Sequence, residues 1–292
     1  MDINRRDFIK LVGLGSAVIV IGTEFSSEAA EEEFYFVQLS DTHWGFTGPK
    51  INPDSTGTLI KAIDAVNKLE IPPDFVVFTG DITHTTDDPK ERRKRMGEAR
   101  DIINGLKVKN IKFLPGEHDA GLDNGEAFQE YFGKTRYTFE HKGINFIVID
   151  NVSAPTSSIG DAQLQWLSAE LGKLKKDSRI VVFTHRPLFD LYPDWDWWTS
   201  DGAKAVDLLK PYQNVTVFYG HIHQENHHNT EQIAHHSAKS LIFPLPAPGS
   251  VPKRIPIPWD PARPYEGLGF REVESKIKKA EYIIKEFPIK KG

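Results

Sequence analysis

Six short apolar runs shape this sequence, and five of them end directly in residues that bind hard cations. The runs are Phe34 to Leu39, Asp74 to Thr79, Asn110 to Leu114, Ile144 to Ile149, Arg179 to Thr184 and Asn214 to Tyr219. Their nearly continuous Val, Ile and Phe content is that of strands buried on both faces. Between them, Leu59, Ile60, Ile63, Val66 and Leu69 recur at helical spacing after a Ser55 or Asp54 cap, and Leu164, Leu167, Leu171 and Leu174 form a second stripe. Strands alternating with amphipathic helices predict a layered α/β domain. In such a sheet, sites assemble at the carboxyl ends of the strands.

The clusters at those ends are Asp41-Thr42-His43, Gly80-Asp81, Gly116-Glu117-His118-Asp119, Thr184-His185-Arg186 and Gly220-His221-Ile222-His223. Each is weak alone, since a Gly-Asp pair is an ordinary turn. Their order and their coincidence with strand ends carry the signal. Imidazole and carboxylate together suit borderline divalent ions. With no cysteine in 292 residues, a thiolate site and a disulfide framework are both excluded. A hydrophobic share of 39% suffices for one large core. The net charge of -5 argues against a nucleic acid polymer as partner, because backbone-phosphate binding needs clustered Lys and Arg.

The series DxH, GD, a GxHD variant, a lone His after a strand and then GHxH resembles the calcineurin-like metallophosphoesterase family over residues 34 to 243. That resemblance implies a four-layer αββα sandwich, two mixed sheets flanked by helices. It also implies two metal ions, the first held by Asp41, His43 and His223 and the second by Glu117, His185 and His221, with Asp81 bridging. In the family such a pair activates a hydroxide and neutralises charge on the phosphoryl oxygens of a small phosphorylated substrate, a monoester or a diester. His118 is implied as proton donor to the departing oxygen. Asp119 is expected to orient that imidazole and favour its charged form.

Glu117 departs from the family pattern, which has Asn there. A third anionic ligand favours oxygen-loving ions, Mn²⁺ or Fe, over Zn²⁺. Arg186 and His84 are the expected substrate-phosphate contacts, Arg186 because a guanidinium matches phosphate oxygens; a structural ion pair and a loop hydrogen bond are the competing readings. Trp195, Trp197 and Trp198 form either an aromatic wall for the substrate or a plug that anchors their loop, and Trp44 invites the same pair of readings. His141, His227 and His228 are expected on solvated loops or strand ends, while His236 is placed to contact substrate or a supporting group. A catalytically silent metal-dependent binding module is the alternative from another class, and the presence of His118 argues against it. A hydrolase of a nucleotide-sugar or phospholipid head group is a third reading.

Residues 1–30 read as a bacterial twin-arginine export signal: Arg5-Arg6 precede an apolar run from Leu11 to Gly22, then a small, acidic stretch. The expected location is therefore periplasmic or secreted, reached through the twin-arginine translocation machinery. The run is about a dozen residues against the roughly 20 that span a bilayer, so no stable transmembrane anchor is expected. The phosphoesterase domain is then 31–243. Residues 244–292 form a Pro-rich extension on the same domain, strand-poor at first, with an amphipathic element from Glu272 to Glu286 docking back.

Overall fold

Alternation along the strands decides the architecture. The computed structural model describes residues 34–154, 156–275 and 281–290, so the expected export signal lies outside the described residues. In β1 (Tyr35–Leu39) and β2 (Phe75–Thr79), Phe36, Phe75 and Val77 face one core while Val37, Leu39, Val76 and Phe78 face another. The second core is covered by α1 (Gly57–Asn67), α2 (Pro89–Ile103) and, beyond the one-turn α3 (Glu117–Ala120), by α4 (Glu126–Phe132). With β3 (Ile111–Leu114), β10 (Gly269–Ser275) and β11 (Tyr282–Pro288), these strands form a sheet of order β11-β10-β1-β2-β3, parallel from β1 to β3.

The other sheet follows the same logic. It comprises β4 (Tyr137–His141), β5 (Ile144–Val148), β6 (Arg179–Phe183), β7 (Asn214–Tyr219), β8 (Asn226–Thr230) and β9 (Ile233–Ser237), in the order β4-β5-β6-β7-β9-β8. Phe146, Val148, Val181 and Phe183 meet the first sheet, while Ile147, Ile180 and Val182 pack under α5 (Asp161–Leu171) and α6 (Gly202–Leu209). Between the sheets, Phe36 stacks on Phe75 at 5.0 Å and meets Phe183 and Phe218 edge-on at 5.5 and 5.4 Å. Such aromatic pairs add about 0.5–1.5 kcal/mol each beyond the area they bury. The result is the expected αββα sandwich of two mixed sheets. Among the described residues, no helix is long and apolar enough to cross a membrane.

Two local expectations change. The N-cap of α1 is Thr56, without a side-chain cap bond, and not Ser55 or Asp54. The Asp54 carboxylate is engaged elsewhere, by Lys61 at 2.7 Å and the Tyr265 hydroxyl at 2.8 Å. The closing element is two antiparallel strands, β10 and β11, that enlarge the first sheet against β1. Every residue of β10 is buried, including Arg271, which pairs with Glu286 at 2.6 Å. Residues 244–268, just before them, hold neither helix nor strand.

Candidate metal centre

Each predicted cluster lies on the loop that leaves a parallel strand. Asp41 and His43 follow β1, Asp81 and His84 follow β2, Glu117 to Asp119 open α3 beyond β3, His185 and Arg186 follow β6, and His221 and His223 follow β7. The loops after β1 and β2 are bonded together, with Asp41 N donating to Gly80 O at 3.0 Å and His43 N to Asp81 O at 2.8 Å. Gly116 and Gly220 are small because the candidate ligands occupy their side-chain space. A Cβ at Gly116 would sit 2.0 Å from Asp81 Oδ1, and one at Gly220 would sit 2.1 Å from Ser40 Oγ and 2.8 Å from Asp41 Oδ2.

All seven expected ligands converge. Asp41, His43 and His223 form one group able to hold an ion, and Asp81, Glu117, His185 and His221 form a second. Asp81 Oδ2 lies 3.5 Å from His43 Nε2 and 3.4 Å from His185 Nε2, between the two groups. Backbone carbonyls fix three of the imidazoles: His185 Nδ1 meets Thr79 O at 2.7 Å, His223 Nδ1 meets Phe243 O at 2.7 Å, and His221 Nε2 meets Asp196 O at 2.9 Å. A carbonyl only accepts, so these nitrogens carry hydrogen and the opposite nitrogen of each ring is turned towards the cluster.

The donor set fits a pair of cations. Glu117 Oε2, His185 Nε2 and His221 Nδ1 are buried and make no hydrogen bond. Yet His185 Nε2 is 2.9 Å from Glu117 Oε2, and His221 Nδ1 is 3.0 Å from Glu117 Oε1. Buried polar atoms without partners are costly, and a shared ion would satisfy all three. The charges agree. Burial alone would raise Asp81, as would the neighbouring Glu117, but His185, His118 and His43 together hold its carboxyl well below the usual range. Glu117 is likewise held low against its burial by His221, Arg186 and His185. Burial depresses His43, whereas Asp81 and Glu117 outweigh burial at His185 and hold it well above an ordinary imidazole. Those carboxylates draw positive charge to this spot.

One expected role is corrected, and two expected substrate contacts are found engaged with neighbouring residues. Asp119 does not touch the His118 ring. Its buried carboxylate accepts from the amides of Ile82 at 2.9 Å, Thr83 at 2.8 Å and Gly116 at 3.0 Å, and so ties two ligand-bearing loops together. Thr85 takes the orienting role instead, with its amide at 3.2 Å and its hydroxyl at 2.6 Å from His118 Nδ1. Arg186 is ion-paired, as the competing reading had it: Nη1 lies 2.7 Å from Asp196 Oδ1 and donates to Asp196 O at 3.0 Å, and Nη2 is 3.7 Å from Glu117. His84 supports His43, Nδ1 to Nδ1 at 3.2 Å, and stacks on His118 at 5.0 Å, and the three imidazoles form a further group of possible ligand atoms. Burial, then the neighbouring His118, pushes the His84 imidazole down to about 4.

Asp196 was not anticipated. Its carbonyl receives both Arg186 and His221, and it adopts a left-handed backbone at φ 65°. The flanking Trp195 and Trp197 are buried beside Tyr219, Ile222 and Phe243, so they plug and anchor the loop that presents this carbonyl. Trp44 also packs, donating to Glu98 at 2.9 Å. His236 joins no ligand group; its ring meets His227 and Phe218 instead. The cavity, about 180 Å³, is lined by His43, Asp81, Glu117, His118, His221 and His223, and on the extension side by Phe243, Leu245, Arg254 and Pro256.

A profile described as calcineurin-like phosphoesterase matches residues 34–225. The serine/threonine-protein phosphatase CPPED1 of Mus musculus is 28% identical over 232 residues, covering 68% of this chain and 73% of that protein. A probable glycerophosphodiester phosphodiesterase, GpdQ of Arcobacter nitrofigilis, is 28% identical over 203 residues, covering 64% and 71%. Among solved structures, a dimetal phosphatase from Danio rerio superposes with a TM-score of 0.55 at 15% identity, covering 88% of this chain and 98% of that one. The purple acid phosphatase PPD1 of Lupinus luteus gives 0.61 at 14% identity, covering 85% and 50%. At such identities the two structures speak for the fold.

Proposed function

The chain belongs to the calcineurin-like phosphoesterase family, a family of metal-dependent hydrolases, and from that premise we propose that it hydrolyses a small phosphomonoester or phosphodiester at a two-metal centre. The observation that carries this reading is the set of three buried donor atoms, on Glu117, His185 and His221, that face one another without a hydrogen bond. Asp41, His43 and His223 would hold one ion, Glu117, His185 and His221 the other, and Asp81 both. Such ions, when bound, supply an activated water and offset charge on the phosphoryl oxygens. The remaining work falls to the chain itself. Because the Thr85 amide can only donate, His118 Nδ1 accepts, and the proton of the neutral ring sits on Nε2, on the side where Asp81 Oδ2 lies 4.0 Å away. From there it is available to a departing alkoxide. Glu117 would add a third carboxylate to Asp41 and Asp81, and that extra hard, anionic oxygen supports Mn²⁺ or Fe as the resident ions over Zn²⁺.

One experiment tests the core of this. Protein purified with Mn²⁺ is assayed for metal content and given 4-nitrophenyl phosphate and bis(4-nitrophenyl) phosphate. Two ions per chain and turnover of at least one ester are expected. Two bound ions with neither ester hydrolysed would favour a silent binding module, and zinc alone at full occupancy and activity would refute the metal preference. We further propose export by the twin-arginine route, supported by Arg5-Arg6 and the short apolar run after them. Replacing both arginines with lysine should leave the protein in the cytoplasm with its leader attached; undiminished export would reject the route.

A further inference from the structure

Among the described residues, three guanidinium groups stand near the candidate metal centre, and two are already engaged. Arg186 is held by Asp196 and Glu117. Arg95 lies 3.0 Å from Glu91 and donates to the carbonyls of His84 and Thr85 at 2.9 and 3.3 Å. The third, Arg254, lines the cavity beside His118 and His223, and among the described residues it has no hydrogen-bond or ion-pair partner. It is half-buried, whereas its neighbours Lys253 and Ile255 are exposed, Ile255 at 61%. Residue 254 therefore turns to the cavity while the residues on either side turn to solvent.

The strap that carries Arg254 is pinned on both sides. Ser250 N donates to Ala247 O at 3.1 Å, Ile257 N to Pro244 O at 3.0 Å and Trp259 N to Lys50 O at 2.9 Å. Pro252 and Pro256 flank Arg254 at equal distance along the chain and restrict its backbone. The backbone beneath the guanidinium is thus fixed in advance, and only the side chain is left to be ordered on meeting an anion.

We propose that Arg254 is the specificity-determining residue of the site, a guanidinium that receives the additional charged oxygen of a phosphomonoester dianion, so that monoesters are preferred over diesters. This rests on the hydrolase reading above and narrows it. A monoester carries close to two negative charges at neutral pH and three non-bridging oxygens, while a diester carries one charge and two such oxygens. The planar fork of a guanidinium matches a pair of phosphate oxygens. With Arg95 and Arg186 engaged, Arg254 alone of the three is free to offer that fork.

The test uses Mn²⁺-loaded wild type, Arg254→Gln and Arg254→Lys. Binding of inorganic phosphate and of diethyl phosphate is measured by calorimetry, alongside hydrolysis of the two nitrophenyl esters. Arg254→Gln should weaken phosphate binding about tenfold or more and raise KM for the monoester similarly, with diethyl phosphate and the diester changing less than about twofold. Arg254→Lys should recover part of the loss. Equal losses for monoanionic and dianionic ligands, an unchanged affinity for phosphate, or no phosphate binding by wild type would each overturn the assignment. The two proposals fail separately. Phosphate binding lost in Arg254→Gln without turnover of any ester by wild type keeps Arg254 and removes the hydrolase, whereas turnover that is indifferent to residue 254 does the reverse. Unchanged melting of both variants, expected for a side chain without partners, excludes misfolding as the cause.

Discussion

Asp41, His43, Asp81, His221 and His223 all adopt positive φ, between 44° and 65°, although none is glycine. Each such residue costs on the order of 1 kcal/mol or more, and such backbones persist only where the surroundings over-determine them. Here the loop-to-loop hydrogen bonds, Asp119 and the carbonyls of Thr79, Phe243 and Asp196 do so. At His118 the orienting atoms belong to Thr85, which leaves the proton on Nε2. His118→Ala should therefore retain both ions while losing about 10²–10⁴-fold in turnover of an alkyl phosphate, and much less with a 4-nitrophenyl leaving group that departs without a proton. Equal losses for the two leaving groups would contradict the donor role. The residue types of the centre were legible in the sequence because metal ligation needs particular atoms at strand ends. The partners of Asp119, Arg186 and His84 were not, because a carboxylate or guanidinium bonds whatever the fold brings within 3 Å, and nothing in the local sequence says what that is.

At the scale of elements, the buried parallel strands were legible and the edges were not. β1, β2, β3, β5, β6 and β7 announce themselves as apolar runs, while β8 reads Asn-His-His-Asn-Thr and is half-buried or exposed throughout. α2 shows only Met96, Ala99 and Ile103 as buried apolar residues among many charges, too thin a stripe to stand out. The β8–β9 hairpin nevertheless has a thermodynamic signature. His235 on β9 is fully buried, and neither of its ring nitrogens has a hydrogen-bond partner. Burial, then the nearby His228 and His236, pushes its imidazole down to about 3, and burial with His227 pushes His236 down to about 4. In the unfolded chain these groups take up protons near pH 6.5. The stability that these two groups contribute is thus fully present above that pH and is lost as the pH drops from about 6.5 towards 3 for His235 and towards 4 for His236, by at most about 1.4 kcal/mol per pH unit for each group. Melting temperatures recorded from pH 7 to 4.5 should fall, and His235→Phe, which keeps a ring against Phe189 and His228 but cannot be protonated, should fall less steeply. Identical slopes would show that His235 does not drive the loss.

For the whole molecule, the sequence by itself determined the layered α/β class and the strand ends that bear clusters of hard-ligand residues, because period, apolar content and donor chemistry are local properties; which seven of those side chains serve as ligands came from the order of the motifs, which resembles that of the family. The tertiary structure alone decided the pairings between distant segments. His43 meets His223 across 180 residues at 3.3 Å, and the Gln38 side chain bonds Tyr219 O across 181 residues at 3.0 Å. It also decided the fate of the extension. Residues after 244 do more than cover the domain, since β10 and β11 complete its first sheet and the strap before them places Arg254 at the cavity. Proline content foretold an extended strap but not its course. Where a strap lies depends on which carbonyls, here those of Pro244 and Lys50, the packed sheets leave open to it, and that is settled only once both sheets have closed.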